Sequence, residues 1–298
     1  MRSKIIVAIG IIAGMVLLYS GVGSCQEKVS GSEWTQIIEK IGDKGKINWS
    51  EGYIEALGIG APPDRYIGKP NARPMALRAG KIDAYRNLLE ITKGVRVDST
   101  TVVKDFTVES DVINAQVEGL VKGAMVFNQE YMSDGTVEVT VRMPLSGNFS
   151  QVIIPRALDR RREMAPPVIP PAAPAAPAPA GVVYTGMVID ARGLQARPAM
   201  SPKVLDENGK EVYGSMNVDR EYAVQQGMSG YARDLTAAQS NPRVANPPPS
   251  NPLTVKGLKT EGPGKSDIII SNVDAQKVKD ASDKMTFLKK CQVMIVLD

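Results

Sequence analysis

Met125-Val126-Phe127-Asn128-Gln129-Glu130-Tyr131 and Thr136-Val137-Glu138-Val139-Thr140-Val141-Arg142-Met143 flank Ser133-Asp134-Gly135. Asp-Gly between alternating segments is a strong hairpin signal, because these residues accept the positive φ that a tight turn requires. A second hairpin lies upstream, where Ile47-Asn48-Trp49 and Tyr53 to Gly58 turn through Ser50-Glu51-Gly52. Between the two hairpins, Asn71 to Glu90 has helical spacing. Pro74 suits its first turn and Gly94 its end, with Lys93 against the negative pole. Met75, Ala79, Ile82, Tyr85 and Leu89 recur at three- and four-residue steps, which predicts the buried stripe. Val95 to Val108 alternates like a strand pair. Ser110 to Val121 reads as a helix capped by Ser110, with Val112, Ala115, Val117 and Leu120 apolar. The order β-β-α-β-α-β-β predicts an α+β domain, its helices packed on a mainly antiparallel sheet.

Three stretches carry a family likeness: Trp49 to Gly60, Arg73 to Gly94, and Val117 to Ala124 with its Glu118-Gly119 and Gly123-Ala124. The Tyr131-x-x-Asp134-Gly135 hairpin through Met143 is a fourth. Together, residues 46 to 147 resemble the Lpp-twenty-type lipoproteins and the N-terminal domain of the flagellar assembly protein T. The resemblance covers about a third of the chain, and its helix run, Ala76 to Glu90, is more specific than the hairpins. It implies a surface or periplasmic lipoprotein tied to flagella or the cell envelope, and it brings no catalytic residues with it.

Outside that region the organisation changes twice. Residues 26 to 45 are polar around Trp34, Ile37, Ile38 and Ile41, whose spacing predicts a short helix ending near Gly42. Pro155 to Glu163 is basic and polar, with Arg160-Arg161-Arg162. Ala165 to Gly181 is a Pro/Ala tract. In extended form it would make a spacer of roughly 50 Å. Globular character returns at Val182 with a strand to Ala191, then an Asn208-Gly209 hairpin between Lys203–Asp206 and Glu211–Tyr213. Short helices are expected over Asp219–Gln226 and Tyr231–Gln239, and a Pro/Asn-rich loop over Ser240–Pro252. Strands at Leu253–Leu258 and Asp267–Ser271, a helix at Asp274–Met285 and a strand at Cys291–Leu297 complete the chain. The expected layout is a leader (1–24), a tether with a short helix (25–45), a first α+β domain (46–154), a linker (155–181) and a second α+β domain (182–298).

The amino terminus has the form of an export signal. Arg2 and Lys4 precede an apolar run, Ile5 to Tyr19, which falls short of a comfortable membrane span, and small residues follow. Val22-Gly23-Ser24-Cys25 resembles a lipobox, with cleavage between Ser24 and Cys25 and acylation of Cys25. Several acyl chains on one cysteine suffice for stable anchoring. Gln26 stands where Asp would favour inner-membrane retention, which points to the outer membrane, facing the periplasm. Two alternatives stay open: ordinary cleavage that leaves Cys25 a free thiol, and an uncleaved anchor in the inner membrane.

Composition narrows the chemistry. The chain has no histidine and two cysteines, Cys25 and Cys291. Histidine triads, Cys-His pairs and Cys-rich or His-containing zinc sites are therefore excluded. A formal charge of +4 gives no general reason to hold nucleic acid. Asp190-Arg192 before Gly193 reads as an ion pair or turn cap. Asp274, Asp280 and Asp283 read as a solvated helix face without a calcium loop, and Cys291 as a buried, inert thiol. Gly58-Ile59-Gly60-Ala61 matches no nucleotide loop. The sequence expectation is a non-catalytic, lipid-anchored envelope protein without cofactor or metal. It would bind the membrane through its lipid and meet envelope or flagellar proteins, or copies of itself. The alternative is a soluble periplasmic protein that binds glycan or peptide.

Overall fold

In the computed structural model, which describes residues 35–164, 183–284 and 286–298, the first sheet starts at β1 (Ile38–Ile41). This segment is a strand, not the expected helix. Its isoleucines are β-branched, which favours the extended chain. Gly42 turns at positive φ, so Ile38–Ile41 folds back onto β2 (Gly45–Asn48). β3 (Tyr53–Gly60) continues the antiparallel sheet. After α1 (Ala72–Lys93), α2 (Val103–Glu109) and α3 (Asp111–Lys122) come β4 (Met125–Tyr131) and β5 (Val137–Pro144), which form the Asp-Gly hairpin. The spatial order is β1-β2-β3-β5-β4, antiparallel throughout.

α1 fully buries Ala76, Gly80, Ala84, Leu88 and Ile91; of the expected stripe, Tyr85 and Leu89 pack half-buried on the core, while Ala79 and Ile82 are exposed. The reason lies in the strand below it. A Cβ on Gly58 would stand 2.1 Å from the Ala84 nitrogen, and one on Gly60 would stand 2.0 Å from the Ala76 oxygen. Helix and strand backbones meet directly, so only small residues fit between them. Ile82, expected in the core, is 53% exposed.

Two further expectations change. Val95 to Val108 keeps only an isolated bridge, Arg96 with Val102, before α2 begins. There Val103, Phe106 and Thr107 bury one face, and the Asp105 carboxylate accepts the Val102 N–H at 2.9 Å. Residues 155–164, read as the start of the linker, belong to α4 (Asn148–Met164), which runs through Pro155. Phe149, Ile153, Ile154 and Ala157 bury its inner side, and this apolar face outweighs the proline. Ser110 caps α3 as expected, accepting the Ile113 N–H at 3.5 Å.

The second sheet comprises β6 (Met187–Asp190), β7 (Val204–Leu205), β8 (Glu211–Tyr213), β9 (Gly230–Ala232), β10 (Leu253–Glu261), β11 (Asp267–Ile270) and β12 (Val293–Val296). Its order is β8-β7-β11-β10-β6-β12-β9. Four of its six pairings are parallel, so the antiparallel expectation holds for the first sheet and not for this one. α5 (Arg220–Gln226) precedes β9, and Tyr231 lies in that strand. The helix expected from Tyr231 starts only at α6 (Leu235–Ser240), where Asp234 accepts the Ala237 N–H at 2.8 Å. A short α7 (Pro242–Ala245) occupies the Pro/Asn-rich loop, and α8 (Asn272–Lys284) precedes β12.

Parallel strands covered on both faces read as apolar runs without alternation. Val188, Met294 and Val296 pack under Ala238 of α6 and Val244 of α7. Met187, Ile189, Val293 and Ile295 face the other way, into a core that also holds Ile54, Val141 and Leu88 of the first half. The two halves therefore share one hydrophobic cluster. They touch directly, which removes the expectation that the Pro/Ala tract holds them apart.

Candidate functional site

The halves meet where β1, the β2–β3 turn and the Val95–Val102 loop face residues 197–201 and the β10–β11 turn. Met200 N–H donates to Arg96 O at 3.0 Å, Ser201 N–H to Val97 O at 2.7 Å, and Gly264 N–H to Ser99 O at 2.7 Å. The Ser99 hydroxyl donates to the buried Asp267 carboxylate at 2.6 Å. Buried polar groups need such partners, and here each half supplies them to the other.

An ionic centre lies at the same seam. Arg96 makes a two-pronged bond to Glu39, Trp49 Nε1 donates to Glu39 Oε2 at 3.2 Å, and Arg197 of the second half stands 3.6 Å from Glu39 Oε1. Burial raises the Glu39 carboxyl, but the Arg96 hydrogen bonds and charge, with Trp49 and Arg197, hold its pKa below the ordinary 4.5. Trp49 also meets Tyr231 edge-on, with ring centroids 5.9 Å apart. Edge-to-face contact suits the aromatic quadrupoles.

Beside these rings lies a cleft of about 240 Å³, walled by Trp49, Leu145, Met200, Tyr231 and Arg243. Arg243 is spent on structure: it donates to the carbonyls of Gln226, Gly227 and Cys291, tying the end of α5 to the approach of β12. Burial lowers its pKa from the ordinary value. Tyr231 is committed too, donating to Ala199 O at 2.6 Å. Ser50, Glu51, Ser146, Ser150 and Ser229 also line the cleft. Its volume falls under the several hundred Å³ of ordinary ligand pockets.

Ser24, Cys25 and Trp34 lie outside the described residues, and so do the side chains of Arg160, Arg161, Arg162 and Asp283. Arg192 clasps Asp190 through two bonds of 2.8 and 2.7 Å, an ion pair within one turn. That pairing lowers the Asp190 pKa. The following Gly193 N–H reaches the Asp298 carboxylate. Asp274 caps α8 with Ser271, and Asp280 accepts from Gln276. Among the described residues no three acids or thiols gather for a metal. Cys291 is buried, and burial pushes its thiol up to about 11. Gly58 and Gly60 serve helix packing.

What the fold leaves open is an edge. β4 ends the first sheet and pairs only with β5 among the described strands. Met125 is 67%, Phe127 54% and Tyr131 49% exposed along it. An unpaired strand edge offers backbone donors and acceptors to another strand. Sequence reading found this hairpin but missed its bareness, because alternation shows two faces and says nothing of what covers them. Among the described residues no helix is long and apolar enough to cross a membrane.

Residues 186–298 match the family model for the second domain of Treponema pallidum Tp0624. The matched stretch contains every strand of the second sheet. No curated protein matches the chain.

Proposed function

We propose that this protein is a lipid-anchored cell-envelope protein with a binding or scaffolding role. The observation that carries this reading is β4, the edge strand at the opposite side of the first sheet from β1, with three exposed apolar side chains. Strand addition at such an edge gives affinity through main-chain bonds and specificity through alternate side chains. The leader and Val22-Gly23-Ser24-Cys25 supply the tether. The resemblance over residues 46 to 147 points to flagellar or outer-membrane assembly as the setting.

Two measurements test it. Metabolic labelling with a fatty acid should mark the wild type and not Cys25→Ser, which should leave the membrane fraction; an unlabelled, freely soluble wild type ends the lipoprotein reading. Affinity capture from solubilised envelopes should recover a partner that Met125→Lys with Gln129→Lys loses. Equal capture by that variant would remove β4 from the proposal. The alternative, a soluble periplasmic ligand-binding protein, has the seam cleft in its favour. A glycan or peptide that raises the melting temperature, and fails to do so in a Tyr231→Ala protein, would favour it.

A further inference from the structure

Residues 64–93 hold seven Lys and Arg against three Asp and Glu, a net +4 that equals the formal charge of the whole chain. With about 3.6 residues per turn, Arg78, Ile82 and Arg86 share one side of α1. That side faces away from the Ala76-Gly80-Ala84 stripe on β3. Arg73, Arg78 and Arg86 are exposed, and none of them forms an ion pair among the described residues. Of the three acids, Asp83 is held by Lys44 at 3.6 Å, while Asp64 and Glu90 sit at the two ends of the strip.

The loop before α1 repeats the pattern. Ile67 is 66% exposed between Arg65 and Lys69, whose cations lie 4.9 and 5.7 Å from the Tyr66 ring. Arg73 in turn stands 5.6 Å from the Tyr131 ring, beside the exposed Met132. Ile82, 53% exposed, projects between two arginines. Positive charge and single exposed aliphatic side chains thus recur in the loop and on the outer side of α1.

We propose that this strip, the outer side of α1 with the Arg65–Lys69 loop, docks on an anionic phospholipid surface. Its cations do not converge on one point, as they would for a single bound anion. Arg78 and Arg86 stand about 12 Å apart along the helix, and Arg65 and Lys69 lie in the loop before it, which suits several headgroups rather than one. Ile67 and Ile82 are placed to enter the headgroup layer while the arginines stay at its level. The strip belongs to the folded body, so its binding is separable from any acyl chain on Cys25.

Ser32–Asp298 forms one compact unit with its core closed inside it, and it lacks both the apolar leader and Cys25. This unit should co-sediment with vesicles containing phosphatidylglycerol and not with pure phosphatidylcholine, and added salt should release it. Each cation removed should weaken partitioning about fivefold, so Arg78→Glu with Arg86→Glu should weaken it by at least about twenty-five-fold. Ile82→Ser should also weaken binding while leaving the melting temperature unchanged. Three results would overturn the proposal: no binding to the anionic vesicles, equal binding by the Arg78→Glu/Arg86→Glu protein, or a concentration-dependent dimer that Ile82→Ser abolishes. The last would assign the strip to a second copy of the chain.

Discussion

Glu39 shows how one side chain ties local sequence to tertiary order. It stands on β1, accepts from Arg96 and Trp49 of its own half, and pairs with Arg197 of the other. Its carboxyl pKa is held below 4.5 in the folded protein. Its contribution is therefore present above the unfolded value and fades as pH falls through the folded one. The melting temperature should drop as pH falls below 4.5, and Glu39→Gln should flatten that drop. At neutral pH the substitution should cost roughly 1–3 kcal/mol, since Arg96 would keep its burial and lose its counter-charge. An unchanged acid profile in Glu39→Gln would remove Glu39 from this role. Cys291 gives the opposite case. With its thiol raised to about 11, it should resist iodoacetamide at about pH 8 in the native Ser32–Asp298 unit and react once denatured. Prompt alkylation of the native unit would contradict its burial.

Among the elements, α1 on β3 is the joint most sensitive to volume. Gly58→Ala puts a methyl where the Ala84 nitrogen and Gly80 oxygen already stand, so either the helix lifts or the strand bends. Overpacking of this kind costs about 1–3 kcal/mol and more when backbone must move, so the upper end is expected here. Chemical denaturation should show it, whereas Ile82→Ser on the far side should change stability by less than about 0.5 kcal/mol. Much of this level was legible in the chain. Both hairpins of the first half, α1, α3 and the Asn208-Gly209 turn follow from turn residues, caps and periodicity. The buried face of α1 did not, because periodicity ranks side chains by apolar character and cannot see that two glycines of β3 demand small neighbours. β1 and β9 failed for a related reason: such brief segments are too short for their spacing to discriminate strand from helix.

Across the whole molecule the two halves share a core, a buried Ser99–Asp267 bond and the Glu39 centre. They should unfold together. Calorimetry of Ser32–Asp298 should give one transition, and Ser99→Ala, which leaves the buried Asp267 short of a donor, should lower that transition by roughly 1–3 kcal/mol without splitting it. Two resolved transitions would show that the halves are energetically independent after all. The Pro/Ala tract misled at this scale: its composition gives the reach of the chain but cannot report whether the bodies at its ends attract each other.

By itself the sequence determined the α+β class, the absence of histidine chemistry and most elements of the first sheet. Each of these rests on local features, such as turn dipeptides, caps, charge and residue count, that act within a few positions. Tertiary structure decided which face of α1 is buried, the parallel pairing of the second sheet, and the merging of the halves at Glu39 and Ser99. It also decided which surfaces remain bare among the described residues, β4 and the cationic side of α1. These outcomes depend on groups far apart in the chain competing for the same space, and no local pattern records that competition.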